Sequence, residues 1–262
     1  MNPTRFALII EYNGTKYYGF QWQPKVPTIQ AELEKALQRL CGEQRRVMCA
    51  SRTDAGVHAE GQVVSFWAER VNGARMLVEG MNYYLPRDIA VREAYQMTHE
   101  FNVRRDAVSR EYQYTIVNRP TRSPLRNMFS LLVRQPLDLE AMGRACDLLR
   151  GRQDFISCAT ALNESEPTLR DVSRATVERE GEYVVFRITG NSFLRHQVRN
   201  TVGALIRIGL GKMSVAQLQE AMAARQPGVV GPTAPAKGLI LTKVNYESGC
   251  FPPGNQQMPM AA

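Results

Sequence analysis

Strand-like and helix-like segments alternate along this chain, and both halves run through them in a similar order. Residues 5–12 are rich in β-formers and end at Asn13-Gly14, a turn pair, after which 16–21 is expected to return as a second extended piece. Pro27-Thr28 opens a helix with Thr28 as its N-cap. Ile29, Leu33, Leu37 and Leu40 give that helix one apolar face, and Gly42 ends it. Strands are predicted at 45–49 and 62–68, a helix at about 74–84 that stops before Pro86, and a strand at 89–95. The second half begins near Arg104. It reads as a strand over 109–117, with Tyr112, Tyr114 and Ile116 on one face. An exposed basic loop at 119–127 and a helix over 138–149, capped by Asp138 and stopped by Gly151, come next. Strands at 170–178 and 183–189, helices at 193–208 and 215–224 (the latter capped by Ser214) and a strand at 239–246 complete it. This alternation predicts an α+β protein of two ferredoxin-like α/β subdomains with mainly antiparallel sheets, 1–103 and 104–248. The tail, 249–262, has no periodicity and is expected to be mobile.

Charge narrows the class of partner. The chain has 262 residues and a net charge of +8, and its 33 basic residues are mostly Arg. A basic surface favours an acidic partner such as nucleic acid, and the planar Arg fork suits phosphates and base faces. The Arg-bearing segments 45–46, 104–105, 119–126 and 195–207 are expected to bind phosphates around a central basic cleft. The five cysteines are odd in number and include no Cys-x-x-Cys, which suits a reducing cytoplasm better than a disulfide framework or a thiolate zinc site. The three histidines, His58, His99 and His196, are scattered. No apolar run is long enough to span a membrane and no charged-then-apolar leader is visible, so a soluble cytoplasmic protein is expected.

Ser51 to Ala59 concentrates chemistry-bearing side chains: Arg52, Asp54 and His58, with the small residues Ala55, Gly56 and Ala59 between them. Read locally, this is a turn leaving a strand, with Gly56 free to bend and Asp54 bonded to its own backbone. Equally, it is a functional loop presenting a carboxylate from a rigid frame. On an extended strand Arg52 and Asp54 would project to one face. Asp54 with His58 would make an acid–base pair or two metal ligands, although no further ligands are visible.

Arg52-Thr53-Asp54-Ala55-Gly56-Val57-His58-Ala59 resembles the active-site motif of the tRNA pseudouridine synthase A family. Four other stretches are similar to that family in the same order. They are Arg110-Glu111-Tyr112-Gln113-Tyr114, Gly151-Arg152-Gln153-Asp154-Phe155, Phe193-Leu194-Arg195-His196-Gln197-Val198-Arg199-Asn200 and Ala234-Pro235-Ala236-Lys237-Gly238-Leu239. Gln153 stands where the family usually has His, and Gln197 where it has Met. The resemblance implies that Asp54 is catalytic and that Tyr112, Arg52, Arg199 and Leu239 serve the substrate. Arg199 is the implied partner of the Asp54 carboxylate, and Arg52 the residue that holds displaced RNA or phosphate. It further implies uridine isomerisation in the anticodon stem-loop of tRNA, on adjacent uridines of its 3′ side, by a homodimer. The reaction transfers no electrons and donates no group, so no cofactor and no metal are expected. A free aspartate has a pKa of ~3.9 and is therefore a carboxylate at neutral pH. Tyr112 offers a ring for stacking the flipped base.

The alternative reading is a passive, basic RNA-binding module, which would be indifferent to Asp54. A metal-dependent hydrolase built on Asp54 and His58 is a further rival.

Overall fold

The structure is a computed structural model that describes residues 3–71, 73–160 and 167–252. In the first half, β1 (Thr4–Tyr12) leads to α1 (Ile29–Cys41), β2 (Met48–Cys49), β3 (His58–Ala68), α2 (Ala74–Tyr84) and β4 (Ile89–Met97). The second half opens with β5 (Ala107–Asn118), β6 (Leu131–Val133), α3 (Leu139–Asp147) and β7 (Gly151–Asp154). It closes with β8 (Leu169–Glu180), β9 (Tyr183–Gly190), α4 (Gln197–Gly209), α5 (Val215–Ala223) and β10 (Leu239–Tyr246).

These strands form one sheet in the order β4-β1-β3-β10-β5-β9-β8-β7, with β2 beside β3 and β6 beside β5. The same arrangement occurs twice. β4-β1-β3-β2 in the first half is matched by β10-β5-β9-β8 in the second. This is the ferredoxin-like pattern expected from the order of elements, and most pairings are antiparallel. The two halves meet where β10 runs parallel to β3 over only two registered pairs, Ile240 with His58 and Leu241 with Ala59.

Local sequence explains the helices. Thr28 and Asp138 accept from the backbone N–H groups of Ala31 and Ala141, which relieves two otherwise orphaned donors. Ser214 and Gln217 complete a reciprocal capping box on α5. The apolar faces then pack. Ile29, Leu33 and Leu37 of α1 join Phe6, Leu8 and Ile10 of β1 in the core. Each such side chain contributes about 1.5–3 kcal/mol when fully buried. Tyr114 is fully buried yet keeps its hydroxyl satisfied, donating to the Pro235 carbonyl at 2.8 Å.

Several boundaries differ from expectation. Residues 16–21 form no strand, because their backbone groups bond the start of α1 and the Asp54 loop instead of a ladder: Phe20 N–H donates to Thr53 O, and Ile29 N–H to Gly19 O. The strand expected over 45–49 shortens to β2, while β3 starts four residues early, at His58. The helix expected from Phe193 begins only at Gln197, because His196 takes a left-handed backbone with φ of 61°. β6 and β7 had no signal in the pattern. Of the tail, Phe251 packs against Tyr95 and Tyr246 at 4.9 and 5.1 Å between ring centroids. Residues 253–262, on which the expected mobility mainly rests, lie outside the described residues.

Candidate active site

The loop between β2 and β3 is held on three sides. Ala50 N–H donates to Val63 O, and Gln62 donates from Nε2 to Ser51 O at 2.5 Å. Tyr12 of β1 shares a 2.7 Å hydrogen bond with the Thr53 hydroxyl. Along the other edge, Gly56 N–H donates to Tyr17 O and Phe20 N–H to Thr53 O. Gly19, with φ of 92°, fits here because a Cβ would stand 2.8 Å from the Thr53 carbonyl oxygen. The turn itself closes with Val57 N–H on Asp54 O, so the loop is both a turn and a rigid platform for the Asp54 side chain.

The Asp54 carboxylate is partly buried, with 28% of its side-chain surface exposed. Arg199, 145 residues away in sequence, donates from Nη1 to its Oδ2 at 2.9 Å. The same guanidinium donates from Nε to Ala234 O at 2.8 Å, while Ala234 N–H returns a bond to Arg199 O. One arginine is thereby fixed by its own backbone partner and aimed at the carboxylate. Tyr114 grips the adjacent Pro235 carbonyl, so the 234–238 segment is wedged between β5 and α4.

Tyr112 lies on β5, its hydroxyl 2.8 Å from Ser51 Oγ and its ring edge-on to Phe193 at 5.4 Å. It is buried, and burial pushes its pKa up to about 12, so the phenol stays protonated. Leu239 is buried at the start of β10, opposite Tyr114, and the structure gives it a place in the core. Arg52 is exposed, and it has no hydrogen-bond or ion-pair partner among the described residues. The shared-face expectation for Arg52 and Asp54 fails because 52–54 is not extended strand: Asp54 turns in toward Arg199 and Arg52 stays in solvent.

The histidine beside Asp54 is His196, not His58. His196 Nε2 lies 3.6 Å from Asp54 Oδ2, slightly beyond hydrogen-bond reach. Burial draws its pKa down, against the pull of Asp54. His58 instead lies on β3, where its Nδ1 accepts from Gly14 N–H at 3.1 Å and its ring packs on Phe129. It too is drawn down by burial. Asp54 and His58 therefore do not make the imagined acid–base or metal pair. No group of three or more His, Cys, Asp or Glu is arranged to hold a metal among the described residues.

Arg110 is a further residue whose place the sequence did not reveal. It is buried without a carboxylate and donates to four carbonyls: Ala50, Arg104, Ala107 and Asn191. It thereby ties the start of the Asp54 loop to the linker between the halves and to the turn after β9. Of the basic segments, Arg45, Arg105 and Arg119 are engaged with Glu43, Asp106 and Glu182, whereas Arg104, Arg122 and Arg195 are exposed.

A family profile described as tRNA pseudouridine synthase matches residues 8–104 and 145–247. The chain is 42% identical over 246 residues to a protein of Myxococcus xanthus named tRNA pseudouridine synthase A, covering 94% of this chain and 93% of that one. Proteins of the same name from Pelobacter propionicus and Cronobacter sakazakii are 43% and 41% identical, covering 91% and 92% of this chain and 98% and 90% of theirs.

Proposed function

The chain belongs to the tRNA pseudouridine synthase A family, and on that premise we propose that it isomerises uridine to pseudouridine in tRNA with Asp54 as the essential carboxylate. The observation that carries the residue assignment is the Asp54–Arg199 pair, a carboxylate with one oxygen engaged at 2.9 Å and part of its surface open to solvent.

In this reaction the bond between N1 of uracil and C1′ of ribose breaks, a bond from C5 to C1′ forms, the C5 proton leaves and N1 takes up a proton. Electrons and atoms balance within the substrate, so the protein's part is to bind, orient and move charge. A uridine inside a stem must first leave its stack. In our reading the extruded uracil lies against Tyr112, and Asp54 acts on the substrate while Arg199 fixes its rotamer. Arg52, free in solvent, meets a phosphate of the displaced strand. Leu239 closes the apolar side of the pocket. The target uridines belong to the 3′ side of the anticodon stem-loop, and a homodimer lets one tRNA touch both subunits. Five cysteines without a disulfide suit the cytoplasm. No helix among the described residues is long and apolar enough to cross a membrane.

The test uses unmodified tRNA transcript tritiated at C5 of uridine, in the presence of a chelator. Wild-type protein releases tritium to water, and Asp54→Asn binds the transcript without release. An active Asp54→Asn protein would remove the assignment. Release that requires added metal would instead favour a different chemistry. Light scattering of the purified chain decides the dimer.

A further inference from the structure

Residues 17–28 leave β1, run beside the Asp54 loop and return to α1. Their backbone is tightly satisfied. Tyr18 N–H donates to Pro27 O, Gln30 N–H to Phe20 O, and Trp22 N–H to the Gln30 side chain at 2.8 Å. Gln23 closes the loop by donating to Tyr18 O at 2.7 Å. A loop held this way has lost its backbone freedom in advance. Yet it places two large aromatic rings in solvent: Tyr18 is 57% exposed and Trp22 45%. Tyr17 and Phe20 are buried and anchor the loop, while the rings of Tyr18 and Trp22 face outward.

Position and charge say what these rings meet. Tyr17 O and Phe20 N–H bond Gly56 and Thr53, which sets Tyr18 alongside the turn that bears Asp54. Trp22 is two residues beyond Phe20, so its Cα lies within about 7 Å of that anchor. The Arg46 guanidinium sits 6.0 Å from the Trp22 ring centroid, and it also reaches Glu34 at 3.8 Å. Lys25 at the loop tip and Arg52 beside Asp54 are exposed. Flat rings interleaved with cations on a rigid lip have the chemistry that receives unstacked nucleotides: a base face for each ring and a phosphate for each cation.

We propose that Tyr18 and Trp22 form an aromatic shelf on the lip of the Asp54 site, and that this shelf stacks unpaired bases of the RNA next to the target uridine. The proposal rests on reading the chain as an RNA-modifying enzyme and adds the surface that holds the strand open. Trp22 stacks the outer base, Tyr18 the one nearer Asp54, and Arg46 holds the intervening phosphate.

The experiment uses a Trp67→Phe background, which leaves Trp22 as the sole tryptophan, and an unmodified anticodon stem-loop transcript. Adding the RNA quenches Trp22 fluorescence in step with binding. In the wild-type background, Trp22→Ala weakens RNA binding roughly five- to hundredfold, the range for losing one stacked base. The loss falls on KM more than on kcat, and Trp22→Phe restores most of the affinity. Unquenched fluorescence on a sample that still releases tritium overturns the shelf and leaves the isomerase reading intact. Quenching without any product supports the shelf and overturns the isomerase reading instead. A Trp22 emission maximum that shifts with protein concentration in the absence of RNA assigns the surface to a second copy of the chain, and overturns the shelf.

Discussion

Arg199 holds Asp54 with one nitrogen and the Ala234 carbonyl with another, at 2.9 and 2.8 Å. The carboxylate therefore meets a cation that cannot swing away without breaking a backbone contact of its own. Lysine at this position keeps the charge and loses the fork. A charge-assisted hydrogen bond is worth about 1.5–3 kcal/mol. Arg199→Lys is thus expected to lower kcat by about ten- to hundredfold, at a tenfold change per 1.36 kcal/mol. Single-turnover kinetics with tRNA check this, and an undiminished rate would show that the fork is dispensable.

Tyr112 separates ring from hydroxyl. Tyr112→Phe removes only the bond to Ser51 and should cost about 1 kcal/mol of stability. Tyr112→Ala empties a buried site and should cost about 3–5 kcal/mol. Activity per folded molecule, with the folded fraction taken from urea melts, should fall less for Phe than for Ala. The opposite order would reject a stacking ring.

Gly203 on α4 touches the chain that Arg199 relies on. A Cβ there would lie 1.7 Å from the Pro232 carbonyl oxygen, an impossible contact. Gly203→Ala must push the 232–234 segment off the helix, at a cost of about 1–3 kcal/mol. The variant should melt earlier and lose turnover together, since Ala234 moves with the segment. A stable, fully active Gly203→Ala would mean that this packing is unimportant to the pair.

Acid should weaken the fold through His58, which is buried, and His196, which is half-buried. His58 must be unprotonated at Nδ1 to accept from Gly14, and burial draws its pKa below 6.5. His196 is drawn down in the same direction. As pH falls through 6.5 the unfolded chain takes up these protons first, so stability present above that pH is lost until the folded pKa is passed. The slope is at most about 1.4 kcal/mol per pH unit for each histidine. Urea midpoints should drop between pH 7.5 and 5.5, and less steeply in His58→Gln. Parallel profiles for the two proteins would exclude His58 as a contributor.

Much of this was legible in the sequence because it is local. Thr28, Asp138 and Ser214 are caps wherever the chain goes, and the spacing of Ile29, Leu33 and Leu37 marks a face at sight. The Asp54 motif and its pairing with Arg199 were legible only through resemblance, since no periodicity links residues 145 apart. His196 stayed hidden because a single left-handed residue stopped the helix that would have turned it elsewhere. Arg110 was invisible for another reason: its partners are four carbonyls, which every residue carries, so no side-chain pattern advertises them. The segment 16–21 looked like a strand because it follows the turn pair Asn13-Gly14 and carries Tyr17, Tyr18 and Phe20, but its backbone bends, with Gly19 at φ of 92°, and its hydrogen bonds go to a loop and a helix start.

The narrow junction of β3 and β10, two registered pairs wide, has a consequence for how this molecule comes into being. Asp54 is synthesised on one side of that junction, and Tyr112, His196 and Arg199 on the other. Neither side alone holds all the residues we propose for the reaction. If those residues carry the reaction, a nascent chain acquires its chemistry only when the late-made half has docked on the early one, and the first turnover reports that assembly has finished. The ion pair between Asp54 and Arg199 joins residues 145 apart, so it forms only once both halves are in place.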